Sequence, residues 1–177
     1  MIPVLEAVPN FSEGRDLGKI RALIDTIAKK DVDILDWSAD PDHHRSVVTY
    51  IGDPRSVISA SLAAAEFAVR EFDLSRHRGL HPRIGALDVL PFVPLRGLHM
   101  SDAIAAAREV GQAISLLGVP VFFYGEASDP PGRGLAELRR GGIESLQDGF
   151  REGRKPDLPS SAMFPHPTAG ATCVGAR

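Results

Sequence analysis

The stretch Arg76–Pro94, RHRGLHPRIGALDVLPFVP, decides how the chain is read. Its first part gathers His77, His81, Arg76, Arg78, Arg83 and Asp88 around Gly79 and Pro82, and its second part is an apolar run interrupted by prolines. A polar loop delivered to the entrance of a strand is where a rigid scaffold presents accessible, reactive side chains. The strand it enters closes an order of elements that can be followed outward in both directions.

Upstream, Pro3 to Pro9 reads as a short first strand, followed by the turn AsnPheSerGluGly. From Asp16 to Lys30, Leu17, Ile20, Leu23, Ile24 and Ile27 recur at helical spacing, which predicts an amphipathic helix capped by Ser12 or Asp16. Val32 to Ser38 and Ser46 to Ile51 carry the β-branched and aromatic residues of strands, with a polar loop from Ala39 to Arg45 between them. Asp53 and Pro54 are an N-cap and a first helical proline, opening an alanine-rich helix to about Phe72. Downstream, Ser101 is read as the cap of a third helix reaching Leu117, and Val119 to Tyr124 as a buried strand.

The order strand, helix, strand, strand, helix, strand, helix, strand contains a split βαβ pattern. The expected fold is therefore α+β, a ferredoxin-like mixed or antiparallel sheet with helices packed on one face. From Ser128 onward prolines and glycines punctuate the chain, and only Leu135 to Arg140 and Glu144 to Phe150 read as short helices. Such an end, without a core of its own, is expected to be disordered or functional, and its finish AGATCVGAR to be a strand or a docking segment.

A length of 177 residues with 44% hydrophobic content fits a single domain, residues 1–177. A net charge of −3 argues against binding nucleic acid by phosphate neutralisation. Only Lys19, Lys29, Lys30 and Lys155 among the cationic residues are lysines, and arginine is the better grip for planar carboxylates. Cys173 is the sole cysteine, which excludes an internal disulfide and a thiolate metal cluster. With neither a signal peptide nor an apolar run of about 20 residues to read, the expected location is cytoplasmic, with no membrane partner.

Three constellations carry candidate chemistry. His81 is a candidate general acid and base, because imidazole takes and returns a proton near neutrality. His77 and His81 are four apart, but Gly79 and Pro82 disfavour the helix that would aim both at a metal. Asp36 to Arg45, DWSADPDHHR, reads as a polar hairpin loop, as a weak metal-phosphoesterase echo through Asp42, His43 and His44, or as a carboxylate anchor at Arg45 with a nearby aspartate orienting His81. Ser160 to Gly170, SSAMFPHPTAG, is either a linker or a segment whose exposed backbone embraces a flat ligand.

Taken together, VPNFSEGR at Val8 to Arg15, DHHRSVVT at Asp42 to Thr49, HPRIGALDVLPF at His81 to Phe92, YGEA at Tyr124 to Ala127 and GATCVGAR at Gly170 to Arg177 resemble the N-terminal subdomain of the glutamate formimidoyltransferase family. The resemblance runs in order over essentially the whole chain. It implies a folate-dependent transferase of histidine breakdown that moves a formimidoyl group between N-formimidoylglutamate and tetrahydrofolate, with tetrahydrofolate as co-substrate and no metal. The family's catalytic histidine falls on His81. Its folate contacts fall on the segment holding Ser160, Ser161, Ala162, Met163, Phe164, Pro165 and Gly170, and Arg45 and Arg83 suit the glutamate carboxylates. Ser38 stands where animal members carry an acid, so Asp40, two residues on, is the carboxylate expected to support His81. Family enzymes continue into a second α/β subdomain and bind substrates between the halves. The implied partner is that subdomain, on a separate chain or supplied by a further copy, and apolar surface around the C-terminal segment is expected to favour self-association. A reading from a different class is a non-catalytic folate- or protein-binding module derived from the enzyme.

Overall fold

The computed structural model describes residues 2–80, 82–159 and 165–177. In chain order its main elements are β1 (Leu5–Ala7), β2 (Asn10–Phe11), α1 (Leu17–Ala28), β3 (Asp33–Asp40), β4 (Arg45–Gly52), α2 (Pro54–Glu71), β5 (Leu87–Pro94), α3 (Met100–Leu116), β6 (Val121–Gly125), α4 (Leu135–Leu138), α5 (Leu146–Arg151) and β7 (Thr172–Ala176). The first expected strand, Pro3 to Pro9, shortens to β1, and Asn10 and Phe11, read as the start of a turn, form β2; the ladder carries on across Val8 and Pro9 between them. There the Val8 amide donates to the Pro91 carbonyl, and the Val48 amide donates to the carbonyl of Pro9.

The described strands form one mixed sheet. β3 pairs with β4, β4 with the collinear β1 and β2, and these with β5, all antiparallel. That is the ferredoxin-like half read from the element order. β7 then inserts parallel between β5 and β6, so the C-terminal segment is an interior strand of the sheet. Thr172 to Ala176 is buried throughout. Its register is held by a glycine: a Cβ at Gly175 would lie 2.5 Å from the Tyr124 ring on the neighbouring strand.

Helices α1, α2 and α3 lie side by side on one face. Leu23 and Ile27 of α1, Ala60, Ala64 and Ala68 of α2, and Ala103, Ala107, Val110 and Ile114 of α3 cover Leu5, Ala7, Val48, Tyr50, Leu90, Phe92 and Val174. The alanines let helix and sheet backbones approach closely, and each large side chain fully buried there contributes about 1.5–3 kcal/mol. Asp16 caps α1 and Asp53 caps α2, as the sequence reads. The third helix begins two residues earlier than expected, with His99 rather than Ser101 at the cap position, because the Asp102 carboxylate reaches back to accept the His99 amide.

Alternation along β6 and β7 sends Phe122, Tyr124 and Cys173 to the opposite face, where they meet Leu138, Leu146 and Phe150 from the excursion between β6 and β7. The excursion therefore has a small apolar cluster of its own, and α4 and α5 add a second layer over this end of the sheet. Arg133 to Asp157 at 2.6 Å, Arg83 to Glu144 at 2.9 Å and Arg139 to Asp88 at 3.3 Å tie it down. Over β4 and the β1–β2 strand the same face is only half-buried, at Glu6, Asn10, Arg45, Val47, Thr49 and Ile51. No helix among the described residues is long and apolar enough to cross a membrane.

Candidate active site

Three loops meet at the end of the sheet where β2 leaves and β4 and β5 enter. β3 runs to Asp40, so the polar loop shrinks to a tight turn ending at His44, whose φ is 51°. Asp40 organises that turn. One carboxylate oxygen accepts the amides of Asp42 and His43, both at 2.9 Å, and the other meets His43 Nδ1 at 2.7 Å. The His43 amide and ring hold the Asp40 carboxyl below its ordinary range.

His44 faces the other way. Its Nε2 lies 3.1 Å from Glu13 and its Nδ1 3.1 Å from the Arg78 carbonyl. Its ring stacks on His77 with centroids 4.2 Å apart and an interplanar angle of 11°. His77 Nε2 donates to the His44 carbonyl at 2.8 Å, which fixes the proton on that nitrogen and leaves Nδ1 buried without a hydrogen-bond partner among the described residues. Burial lowers the His77 pKa to about 4, so its ring is neutral at pH 7. Burial opposes ionisation of Glu13, but the amides of Asp16 and Arg15 and the His44 ring outweigh it and hold the carboxyl below the usual range. The packing leaves no room for a side chain at Gly79, where a Cβ would lie 2.5 Å from the His43 carbonyl.

His81 lies outside the described residues. The chain that follows it is fastened from three sides. Ser12 donates its hydroxyl to the Gly85 carbonyl at 2.7 Å and its amide to the Ala86 carbonyl at 2.9 Å. The Ala171 amide donates to the Ile84 carbonyl and the Ala86 amide to the Ala169 carbonyl. From inside, Asp88 accepts the amides of Ile84 at 2.7 Å and Gly85 at 3.2 Å. Burial raises the Asp88 pKa to about 6 against the pull of those amides and of Arg139.

Arg45 and Arg83, paired in the sequence reading, line different hollows. Arg83 is 8% exposed and sits with Arg15, His77, Arg78 and Glu144 around a hollow of about 790 Å³; Glu144 takes its Nη2. Arg45 donates to Asn10 at 3.3 Å and faces a cleft of about 360 Å³. That cleft has an apolar floor of Val8, Val89, Pro91 and Val93 and carries two further cations, Arg139 and Arg177, with Tyr124 beside them. The hydroxyl of Tyr124 and Nε of Arg139 are buried and have no hydrogen-bond partner among the described residues. Asp40 pairs in register with Arg45 across β3 and β4.

Ser160, Ser161, Ala162, Met163 and Phe164 also lie outside the described residues. Pro165 is buried, and Gly170, with φ of 65°, closes a turn with His166 and bridges to Gly85. The structure thus brings the end of the glycine- and proline-rich segment beside the chain that follows His81. Among the described residues no group of three or more His, Cys, Asp and Glu side chains is placed to hold a metal ion, and His43 and His44 turn to separate carboxylates. Arg139 escaped the sequence reading of the site, which held Asp88, Glu13 and Arg177 only within the quoted stretches and weighed His44 and His77 only as metal ligands. A lone aspartate entering an apolar strand was the available signal for Asp88; nothing local to Arg139 marks it.

A family model described as the formiminotransferase domain, N-terminal subdomain, matches residues 4–177. The chain is 41% identical over 180 residues to a glutamate formimidoyltransferase of Thermoplasma acidophilum, covering 98% of this chain and 58% of that protein. It is 37% identical to a glutamate formimidoyltransferase of Streptococcus pyogenes serotype M1, covering 100% of this chain and 60% of the relative. It is also 41% identical to a formimidoyltransferase-cyclodeaminase of Sus scrofa, of which it covers 33%. The chain thus spans less than two thirds of the length of these relatives, and over the length it has, it belongs to the family of the formiminotransferase domain, N-terminal subdomain.

Proposed function

We propose that this chain is the N-terminal subdomain, residues 1–177, of a folate-dependent transferase that moves a formimidoyl group between N-formimidoyl-L-glutamate and tetrahydrofolate in histidine degradation. The observation that carries the reading is the cleft where Arg45, Arg139 and Arg177 stand around an apolar floor. Guanidinium groups grip carboxylates by paired hydrogen bonds, and an apolar floor accepts a flat ring. One substrate is a dicarboxylate, and the other joins a ring system to a glutamate tail.

In this reading His81 is the acid and base. A tetrahydrofolate nitrogen attacks the formimidoyl carbon and gives its proton to the imidazole. The bond from that carbon to the glutamate nitrogen breaks, the same imidazole returns the proton to that nitrogen, and glutamate leaves. Holding both reactants side by side supplies much of the acceleration, and the step needs no metal. Arg45 anchors a glutamate carboxylate from the cleft, and Arg83 does so from the neighbouring hollow once a ligand competes for it with Glu144. Asp40 supports the site by fixing the turn that carries His43, His44 and Arg45. Ser160, Ser161, Ala162, Met163, Phe164, Pro165 and Gly170 form the folate-contacting segment. The half-buried sheet face beside the cleft receives the second subdomain, on the same or a separate chain or from a further copy, and the protein works in the cytoplasm.

Formimidoyl transfer is assayed with the 177-residue chain alone and with the second subdomain supplied, for wild type and His81→Ala, alongside calorimetric titration with a reduced folate. The expected result is folate binding in both proteins and transfer only with His81 present. Unchanged turnover in His81→Ala removes that residue from the chemistry. Folate binding without turnover in every combination moves the reading to a non-catalytic binding module.

A further inference from the structure

We infer that Asp88 is the positioning residue of this site, holding the chain after His81 in the geometry that transfer requires. The inference rests on the proposed role of His81 and adds to it a carboxylate that the sequence reading had sought at Asp40. Both oxygens of Asp40 are engaged by its own turn, by the amides of Asp42 and His43 and by the His43 ring, and its side chain is half exposed. Asp88 is 1% exposed and stands at the entry of β5.

The geometry is that of an internal clamp. Ile84 and Gly85 follow Pro82 and Arg83, and their two successive amides converge on one oxygen of Asp88 at 2.7 and 3.2 Å. Two adjacent N–H groups aimed at a single carboxylate oxygen fix the path of the backbone on either side of them. Pro82 stiffens the link back to residue 81, because its ring locks φ. The carbonyls of Ile84, Gly85 and the next residue, Ala86, are taken by Ala171 and Ser12, so Asp88 supplies the inner side of the clamp.

The other oxygen of Asp88 connects this clamp to the cleft. Arg139 donates to it at 3.3 Å through Nη1, and Arg139 also lines the cleft with Arg45 and Arg177. A substrate carboxylate gripped by Arg139 therefore bears on the same buried group that holds the loop. Asp88 touches neither reactant; it acts through the loop on one side and through Arg139 on the other.

The test uses the full-length protein with both subdomains, comparing wild type, Asp88→Ala, Asp88→Asn and His81→Ala by kcat, KM, folate affinity and amide exchange at Ile84 and Gly85. In Asp88→Ala, kcat is expected to fall by about thirtyfold or more while KM and folate affinity stay within about threefold, and exchange at the two amides to speed up. Asp88→Asn keeps an oxygen for both amides, so it should restore their protection and bring kcat to a value between those of Asp88→Ala and wild type. If Asp88→Ala does not fold, Asp88→Asn alone decides: near-normal amide protection with a lowered kcat supports the inference, and unaltered kcat overturns it. Asp88→Ala with wild-type kcat, equal losses of kcat and folate affinity, or Asp88→Asn no better than Asp88→Ala each overturn it too. Loss of transfer in His81→Ala alongside any of these overturns the role of Asp88 alone, whereas full activity in His81→Ala overturns the reading on which it rests.

Discussion

At the scale of single residues, two buried ionisable groups with opposite habits lie close to the site. Asp88 titrates near pH 6 in the folded chain and near 3.8 in an unexposed-to-burial reference, so the folded form holds the extra proton between those values. Its contribution to stability is present at low pH and is lost as pH rises through about 6. His77 titrates near 4 when folded and near 6.5 otherwise, so its contribution is present above about pH 6.5 and is lost as pH falls toward 4. Each swing is worth about 3 kcal/mol, and over the shared window the two nearly cancel. Wild type is therefore expected to show a flat urea-unfolding stability between pH 4.5 and 6.5, on the order of 1 kcal/mol of change. Asp88→Asn removes one of the opposing slopes, and its stability should climb with pH across that window as His77 loses its penalty. A wild type that already climbs by about 3 kcal/mol there would show that the Asp88 carboxyl is not carrying the raised pKa. The Glu13–His44 contact makes a second residue-scale prediction. Glu13→Gln keeps an oxygen facing His44 but removes a charge 14% exposed at its side chain, and is expected to cost about 1–2 kcal/mol and to loosen the His44–His77 stack, read by histidine ring shifts in NMR.

At the scale of elements, the loop before β5 and the strand β7 lock together through two glycines. A Cβ at Gly85 would lie 2.0 Å from the Ala171 carbonyl, and one at Gly170 2.1 Å from the Ile84 carbonyl, with Gly170 at φ 65°. Neither clash can be relieved by rotating a side chain, because the obstructing atoms are backbone. Gly170→Ala is expected to destabilise by about 3 kcal/mol or more, from strain and lost packing together. Gly134→Ala, where nothing lies within 4 Å, should change stability by less than about 0.5 kcal/mol. Equal melting curves for the two variants would show that the crossing is not tight. The element scale is also where the sequence was most legible. Helical spacing found α1, Asp53 with Pro54 found the start of α2, and the element order gave the ferredoxin-like half of the sheet. The insertion of β7 between β5 and β6 was not legible, because its short run of small residues carries no period, and its place is set by neighbours far away in the chain. The same holds for the site. His77 and Asp88 were visible as residues, but the stacking of His77 on His44 and the reach of Arg139 to Asp88 depend on contacts 33 and 51 positions apart in sequence.

At the scale of the whole molecule, the two faces of the sheet differ in kind. One is closed by three long helices, and Val48, on that face, is fully buried. On the other, Val47, Thr49 and Ile51 of β4 are half-buried and run toward the arginine cleft, outside the cover that α4 and α5 give to β6 and β7. A partly apolar sheet face beside a substrate cleft is well suited to receive a second subdomain, and relatives of this chain are longer than it is. Opposite consequences follow for neighbouring valines. Val48→Asp places a charge in the core and is expected to prevent folding, costing on the order of 4 kcal/mol or more. Val47→Asp meets water on its own face, so the isolated chain should keep its fold and lose less than about 1 kcal/mol, while its affinity for a separately supplied second subdomain falls by about tenfold or more. Circular dichroism reads the first effect and sedimentation of the mixed subdomains the second. If Val47→Asp folds normally and the subdomains still associate with unchanged affinity, the half-buried face is not where the second half docks, and the cleft must be completed from the side of the Asp40–His44 turn instead.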